Sequence, residues 1–348
     1  MEKFLKETSF ISTVYNEERS IREFLESLKT QSALPGEIII VDGGSSDNTF
    51  SLLKGFFEEW ARKGQGPVYM LPEGRGRNGR KADKTAVRLI SSPGAGISRG
   101  RNIAIDKASG TFISVSDAGC VLDPGWLKEI NRKMDEDPSR INGGMNYPLC
   151  AGMLQRLTAL SIMPGLNETD SGNFMPSSRN ICFRKSQWED AGGYPEDLDF
   201  GEDMKFDFNI RNKEYRLAFC PRAAVYWKMR SSLDSIFRQF FRYAKGDALG
   251  RMYPLRHMIR FASGALFLAV MLCGIFLSPL IFTAFLPLGA LYCHKAYYRL
   301  FFRWEGNERC RPQGAAKASA LVLIPLLLVY IDSAKVFGYI YGLFARRH

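Results

Sequence analysis

Apolar and polar positions along the first half of the chain follow the alternating pattern of strands and helices. Short β-branched runs predict strands, and apolar residues at helical spacing predict a helix after each of them. The predicted strands are Thr8–Val14, Glu37–Val41, Ala86–Ser91 and Thr111–Ser116. Four helices are predicted: the first has Asn16 as its N-cap, and the second runs from about Asn48 to Arg62. The third lies within Gly94–Gly110, and the fourth begins at Pro124. This order predicts an α/β fold with a parallel sheet and right-handed crossovers.

Two later stretches are less regular. The basic, glycine-rich run Ala61–Lys84 has neither helical nor strand period and predicts an exposed loop. Further along, Gly201 precedes Glu202 and Asp203, which open a predicted helix ending near Asn212.

The last third of the chain is apolar. The 33 residues from Phe261 to Cys293 carry no charge and as one helix would measure about 50 Å, against about 30 Å of membrane hydrocarbon. Two spans, at about 261–278 and 280–294 with Pro279 near the break, fit better. A third, at about 318–343, would contain Asp332 and Lys335, three residues apart and able to pair.

Apolar residues at helical spacing also mark the stretch 231–255, with basic residues on its other faces. This pattern predicts an amphipathic helix along the membrane surface, although a core-facing helix shows the same period. The sequence therefore predicts a first domain over 1–230, this helix over 231–255, and a membrane region over 256–348.

The net charge of +11 is concentrated beside the apolar run. The flanking basic residues are Arg238, Arg242, Lys245, Arg251, Arg256 and Arg260 before it, and Lys295, Arg299, Arg303, Arg309, Arg311 and Lys317 after it. Basic residues at both ends of a hairpin predict that both ends face the cytoplasm. We therefore expect a multi-pass protein of the cytoplasmic (inner) membrane whose first domain faces the cytoplasm. We expect the basic residues to bind anionic lipid rather than nucleic acid.

Cysteine and histidine usage excludes several chemistries. The seven cysteines include no CxxC pair, which argues against a zinc site or disulfide framework. The three histidines, His257, His294 and His348, all lie in or near the apolar region. Acid–base chemistry in the first domain would therefore use carboxylates, Lys, Tyr or Cys. Because no GxGxxG follows the first strand, a dinucleotide oxidoreductase is not supported.

Polar residues follow the predicted strands, where open α/β sheets bind ligands. Asp117 ends the strand Thr111–Ser116 and is a natural ligand for a hard cation that also binds phosphate, or a turn cap. Asp42, before two glycines, can bind a base or ribose, or can belong to a simple connector. Arg101, near a helix start, suits a diphosphate. Glu202 and Asp203 form an ordinary capping pattern, or one of them is a base.

Together these motifs resemble those of the inverting family 2 glycosyltransferases with a GT-A fold. The matching segments are Thr13–Glu18, Val41–Thr49, Ser116–Gly119, Asn180 with Gly192-Gly193, and Gly201-Glu202-Asp203. Gln239-Phe240-Phe241-Arg242-Tyr243 is similar to the Gln-x-x-Arg-Trp signature of membrane-bound members, with Tyr in place of Trp.

The resemblance implies a role for each matched residue. Asp42 would contact the nucleobase beside Thr13, Tyr15 and Glu17. Asp117 would help to hold Mg²⁺ or Mn²⁺ on the donor diphosphate, and Asp203, next to Glu202, would be the general base. Asn180, Gln239 and Arg242 would contact substrate. The chain departs from the family at Gly119, where a second acidic residue is usual, and this departure predicts weaker metal binding.

The resulting hypothesis is a membrane-anchored glycosyltransferase with a Rossmann-like GT-A domain, using a nucleotide-sugar donor and a lipid-linked or glycan acceptor near the membrane. The alternative within this class is a polyprenyl-phosphate glycosyltransferase, which hardly needs a strong base. A non-catalytic nucleotide-binding membrane scaffold is the alternative of another class. A processive synthase is disfavoured because two or three spans could hardly enclose a channel.

Overall fold

The computed structural model describes residues 4–62, 68–71, 84–172 and 174–345. The chain divides into two compact units, Met1–Tyr147 with Asp170–Lys228, and Pro148–Thr169 with Met229–His348. The segment Pro148–Thr169 therefore belongs with the helical end of the chain, whereas the sequence placed it in the first domain. Most of the predicted loop at 61–84 lies outside the described residues, and the part that is described includes a short strand.

The elements of the first unit follow the predicted order as far as the strand Phe112–Val115, apart from a short additional strand at Val68–Met70, and become less regular after it. In chain order they are β1 (Phe4–Val14), α1 (Ile21–Lys29), β2 (Leu34–Asp42), α2 (Thr49–Arg62), β3 (Val68–Met70), β4 (Thr85–Ser91), α3 (Ile97–Lys107), β5 (Phe112–Val115), β6 (Cys120–Leu122), α4 (Trp126–Ile130) and β7 (Arg140–Leu149), then, after the second unit's α5 (Met153–Ile162), β8 (Ile181–Arg184), α6 (Lys185–Asp190), α7 (Glu202–Asn212) and β9 (Arg216–Lys228).

The described strands form one nine-stranded sheet in the order β3-β4-β2-β1-β5-β8-β7-β9-β6. β4, β2, β1 and β5 are parallel, as predicted, and the short β3 joins them in the same direction. The later strands make the sheet mixed, because β8 pairs antiparallel with β5 and β7, and β6 pairs antiparallel with β9. The helical crossovers that impose parallel pairing end at β5, so later strands are free to return in the opposite direction.

The central strands are buried on both faces, as expected for parallel strands covered by helices. On β2, Ile38 and Ile40 join a core with Phe57 of α2, while Ile39 and Val41 join a second core on the other face. The first core also takes residues from α1 and α4, and the second from α3 and α7. The sheet is thus the middle layer of three, which leaves the carboxyl ends of β1, β2 and β5 at one edge.

The second unit is helical. It contains α5, α8 (Leu233–Leu249), α9 (Pro254–Phe276), α10 (Phe285–Phe301) and α11 (Ala315–Ala345), with a 3-10 helix at Pro279–Ala284 before α10. Within the described residues, α9 and α11 are the two helices long and apolar enough to cross a membrane, each with a mean hydropathy of 2.0. The expected pair forms in α11, where Lys335 Nζ lies 3.4 Å from Asp332 Oδ1.

Candidate active site

The loops that follow β1 and β2 are joined by hydrogen bonds. The backbone N–H of Asn16 donates to Ser45 Oγ at 2.9 Å, and the side-chain oxygen of Asn16 accepts from the N–H of Ser46 at 2.8 Å. The prediction that Asn16 caps the first helix is therefore wrong. Ser20 precedes α1 instead, because Asn16 adopts a left-handed φ of 54° and turns to the neighbouring loop.

Three residues predicted to bind the nucleobase lie on this side of the sheet. Tyr15 follows β1 and is 61 % exposed. The N–H of Glu17 donates to Thr49 Oγ1 at 2.8 Å, which fixes its backbone beside the start of α2. Thr13 pairs in register with Val41 on β2. The carboxyl ends of β1 and β2 therefore bring these segments together, and their contact with a nucleobase stays a prediction.

Asp42, at the end of β2, shapes the loop that follows it. Its carboxylate accepts from the backbone N–H groups of Gly44 and Ser45, each at 2.9 Å, and from Ser45 Oγ at 2.6 Å. The side chain is buried. The geometry thus gives Asp42 a positioning role in the loop, while the base contact implied by the resemblance stays a prediction.

Close contact between α3 and β1 sets the position of Arg101. A Cβ atom on Gly100 would lie 2.8 Å from Thr13 Cγ2, closer than packed carbon atoms approach, so only glycine permits this spacing. Arg101 is the next residue and is 2 % exposed. The helix therefore delivers a guanidinium into the unit beside the end of β5.

Arg101 joins two carboxylates from distant parts of the chain. It donates to Asp117 Oδ1 at 2.9 Å and to Glu202 Oε1 at 2.8 Å, and its guanidinium lies 5.1 Å from the ring centre of Tyr194. Burial alone would lower the pKa of Arg101, but Asp117 and Glu202 outweigh it and raise the pKa above its usual value. Arg101 is thus a permanently charged bridge between the end of β5 and the start of α7.

The neighbouring carboxylates Glu202 and Asp203 have different surroundings. Glu202 is buried against Arg101, and desolvation, partly offset by Arg101, raises its pKa to about 7. Asp203 is partly exposed and accepts from Ser177 Oγ at 3.3 Å and from the N–H of Met204 at 2.8 Å. Asp203 also contributes to the charge around Arg101. The start of α7 therefore carries two adjacent carboxylates, of which Glu202 is buried and Asp203 is more accessible.

A third acid lies one turn further along α7. Asp207 is 1 % exposed, and neither of its carboxyl oxygens has a hydrogen-bond partner among the described residues. Desolvation, with the nearby charge of Asp203, raises its pKa well above the usual value. Burial therefore favours the protonated form of an acid one turn from Asp203, a feature that no local sequence pattern indicated.

Asn180 is a buried amide between α4 and the strands of the sheet. It is fully buried, accepts from Trp126 Nε1 at 2.8 Å, and donates to the carbonyls of Met145 and Ala223, each at 3.0 Å. This geometry makes Asn180 a link between α4 and the strands, and the substrate contact implied by the resemblance stays a prediction. The residue type suggested polar contact, but only the packing showed which partners satisfy it.

Sequence reasoning missed three neighbours of the carboxylate cluster. Ser177 bonds Asp203, and Arg179 Nε donates to Ser177 Oγ at 3.1 Å. Tyr194 packs near Arg101, held by Asn102, whose side-chain oxygen accepts from the N–H of Tyr194 at 2.9 Å. In the sequence these three residues lie close to Asn180 and Gly192-Gly193, and this proximity is the signal that could have identified them.

Two other predicted residues lie on α8 of the second unit. Gln239 Nε2 donates to Tyr243 Oη at 3.0 Å, one turn further along the same helix. Arg242 lies on the exposed side of this helix. Their contact with acceptor or diphosphate stays a prediction.

The described residues supply one carboxylate at the predicted metal position. No group of three or more His, Cys, Asp or Glu side chains that could hold a metal occurs in the described part of the chain. Asp117 is 28 % exposed and uses one oxygen for Arg101, which leaves Oδ2 for another ligand. A Cβ at Gly119 would meet no atom within 4 Å, so this position is open. The donor set fits a Mg²⁺ or Mn²⁺ ion that takes most of its ligands from a bound diphosphate.

The fold and these carboxylates define a GT-A glycosyltransferase. The family model for glycosyl transferase family 2 matches residues 9–148, and that for glycosyl transferase family group 2 matches residues 113–331. The chain belongs to the family 2 glycosyltransferases, which confirms the fold and the enzyme class expected from the sequence.

Curated relatives and a solved structure agree with this assignment. The poly-beta-1,6-N-acetyl-D-glucosamine synthases of Staphylococcus aureus (strain COL) and Staphylococcus epidermidis are both 24 % identical to the chain, over 257 and 255 residues. The matches cover 70 % and 68 % of this chain, but only 55 % and 54 % of the relatives, so the chain spans about half their length.

The solved structure is a mannosyltransferase from Pyrobaculum calidifontis in complex with GDP-Man and Mn²⁺. It has a TM-score of 0.53 at 16 % identity, and the match covers 98 % of this chain and 86 % of that one. At this identity the likeness shows the shared fold alone.

Proposed function

We propose that this chain is a membrane-anchored, inverting glycosyltransferase that transfers a sugar from a nucleotide-sugar donor to a lipid-linked or membrane-proximal acceptor. The observation that carries the proposal is the cluster around Arg101, which gathers Asp117, Glu202 and Asp203 at one edge of the sheet. Ligands of open α/β sheets bind at this edge.

The more accessible carboxylate is the proposed base. Asp203 takes the proton of the acceptor hydroxyl while that oxygen bonds to the anomeric carbon. The bond from this carbon to the diphosphate oxygen breaks, and its electron pair leaves with the diphosphate. A single displacement of this kind inverts the anomeric configuration.

The buried groups hold the site in place. Glu202, engaged by Arg101, acts as a positioning residue rather than as a second base. Arg101 in turn orients Asp117, the side chain that would hold a divalent cation together with the donor. When bound, such a cation supplies positive charge to the leaving diphosphate.

The relatives indicate a first donor to test. Their name describes a polymer of N-acetyl-D-glucosamine, so UDP-N-acetylglucosamine heads the panel, followed by other UDP-, GDP- and dTDP-sugars. Product length then separates a single transfer from the processive synthesis that the number of predicted spans disfavours.

The apolar helices support the anchoring part of the proposal. α9 and α11 are long and apolar enough to cross a membrane, and large apolar side chains such as Leu268 and Ile275 of α9 are more than half exposed. We propose that they lie in the cytoplasmic membrane, with the first unit facing the cytoplasm, because basic residues flank both ends of the apolar hairpin.

Replacement of the proposed base tests the mechanism. We expect Asp203→Asn to lower the transfer rate by at least about a hundredfold, because a positioned general base contributes on the order of 10² to 10⁴. The rate is measured with purified full-length protein, the donor found by the panel, and a membrane-lipid extract as acceptor source.

The matched control is Asp106→Asn, which removes a carboxylate that is 66 % exposed and pairs, within the described part of the chain, with its neighbour Lys107. The transfer rate of Asp106→Asn should stay within about twofold of the wild-type rate. Full activity of Asp203→Asn would contradict a base at this position and would favour a polyprenyl-phosphate acceptor, whose phosphate needs no strong base.

A further inference from the structure

A chain of polar side chains links the four long helices of the second unit. Its members are Asp247 of α8, Arg256, His257 and Arg260 of α9, Tyr292 of α10, and Asp332 and Lys335 of α11. Charged groups inside apolar helical units are costly, so their presence marks a function.

The first half of the chain connects α8 with α9. His257 Nε2 lies 2.9 Å from Asp247 Oδ2, and Arg260 Nη1 lies 3.1 Å from His257 Nδ1. A guanidinium can only donate, so His257 Nδ1 is the acceptor in the contact with Arg260. The ring also stacks on Tyr339, with centroids 3.9 Å apart.

The second half connects α9, α10 and α11 through one carboxylate. Asp332 Oδ1 accepts from Arg260 Nε at 2.9 Å and lies 3.4 Å from Lys335 Nζ, while Oδ2 accepts from Tyr292 Oη at 2.7 Å. Asp332 is thus the point at which three helices meet.

The network carries an excess of positive charge and unused donors. Three cations, Arg256, Arg260 and Lys335, face the two carboxylates of Asp247 and Asp332, a difference of one positive charge. Among the described residues, Arg256 pairs with Asp247 at 3.1 Å and lies 3.9 Å from the ring centre of Tyr253, and its side chain is 54 % exposed. The ammonium of Lys335 contacts Asp332 and otherwise faces the ring of Phe240 at 5.0 Å. Several N–H groups of Arg256 and Lys335 are therefore available to an anion.

The position along the chain indicates which anion. Arg260 is the last charged residue before the uncharged run from Phe261 to Cys293. In a membrane-inserted α9, the boundary between charge and apolar run lies at the level of the lipid head groups. Met258 and Ile259, beside these cations, are 63 % and 59 % exposed, so apolar and cationic groups are presented together.

We propose that Arg256 and Lys335, held in place by the Asp247–His257–Arg260–Asp332 network, bind the phosphate of an anionic membrane lipid. The single excess positive charge matches the charge of a phosphodiester head group. This inference rests on the proposed membrane insertion of α9, but it requires no glycosyl transfer and no particular acceptor.

Lipid retention by the full-length protein tests the proposal. The protein is reconstituted in vesicles of phosphatidylcholine with phosphatidylglycerol, and retained lipids are counted by native mass spectrometry. Wild type should be enriched in phosphatidylglycerol. Arg256→Gln and, separately, Lys335→Gln should each reduce the enrichment about fivefold, since one basic group near a membrane contributes about 1 kcal/mol.

Arg216→Gln is the matched control, because Arg216 is also an exposed arginine, at 57 %, paired with an aspartate, Asp137, and it lies in the first unit. This variant should retain the phosphatidylglycerol enrichment of wild type. Equal enrichment in Arg256→Gln and wild type, or an equal loss in Arg216→Gln, would overturn the site.

Two further experiments are needed. One distinguishes a failure of membrane insertion from a failure of the lipid site, and the other distinguishes bulk anionic lipid from a lipid-linked phosphate. Wild type that does not float with pure phosphatidylcholine vesicles contradicts membrane insertion and this site together, whereas flotation without phosphatidylglycerol enrichment overturns the site alone. In the supporting case, adding a polyprenyl phosphate distinguishes the ligands: displacement of phosphatidylglycerol identifies the lipid-linked phosphate, and unchanged retention identifies the bulk anionic lipid.

Discussion

At the scale of single residues, Arg101 explains why carboxylates distant in sequence share one site. A buried guanidinium needs nearby negative charge, and Asp117 and Glu202 supply it from the two sides of the cluster. Removal of either partner would leave the other charges poorly compensated. The positions of Asp117 and of the start of α7 are therefore coupled through one side chain.

The open position at Gly119 makes metal affinity adjustable. We expect Gly119→Asp to raise the affinity for Mn²⁺ in the presence of donor, because a Cβ there meets no atom within 4 Å and a second carboxylate is the ligand that hard cations prefer. Isothermal titration with Mn²⁺ and a nucleoside diphosphate measures the change.

Gly119→Asn is the control, since it adds a side chain of the same size without the charge. A tighter Mn²⁺ site in both variants, or in neither, would argue against a metal ligand at this position.

The buried acid Glu202 predicts a pH dependence of stability. Its pKa is about 7 in the folded protein and about 4.3 when unfolded, so the folded state binds more protons between these values. Stability therefore falls as pH rises from about 4.5 to 7, by up to about 3 kcal/mol from this group.

Glu202→Gln should remove this part of the pH dependence while keeping an oxygen that accepts from Arg101. Thermal unfolding of both proteins in detergent between pH 4.5 and 7.5 measures it. Parallel curves for wild type and variant would show that Glu202 does not titrate in this range.

At the scale of elements, the site depends on how closely α3 approaches β1. We expect Gly100→Ala to lower stability by about 1 to 3 kcal/mol, because the added methyl would lie 2.8 Å from Thr13 Cγ2 and force the helix outward. Thermal unfolding gives the stability, and the transfer rate reports the displacement of Arg101.

Gly96→Ala, just before the same helix, is the control, because its Cβ would meet no atom within 4 Å. Thr13→Ser removes the clashing methyl and should restore most of the stability of Gly100→Ala. If Gly100→Ala unfolds at the same temperature as Gly96→Ala, the close contact is not what limits α3.

At the scale of the whole molecule, the charge distribution predicts an orientation. We expect protease added outside intact spheroplasts to leave the first unit uncut, and protease added to inverted membrane vesicles to degrade it, because basic residues flank both ends of the apolar hairpin. Immunoblotting with an antibody against the first unit provides the readout. Cleavage in intact spheroplasts would reverse the proposed orientation.

Local sequence determined the elements and the residues that end them. The period of two in the strands and of 3.6 in the helices depends on neighbours along the chain, so β1, β2, β4 and β5 and the helices between them were predictable, whereas the short β3 was not. The same holds for Asp42 and Asp117, because the carboxyl ends of parallel strands meet at one edge of a sheet. The uncharged run from Phe261 likewise identified the apolar helices.

Only the tertiary structure decided how distant polar groups pair. It showed that Arg101 bridges Asp117 and Glu202, and that Asn180 is consumed by Trp126 and two carbonyls. It also placed Pro148–Thr169 with the helical unit. A buried polar group must find a partner, but residue type alone does not specify which of many remote groups packing will bring within reach.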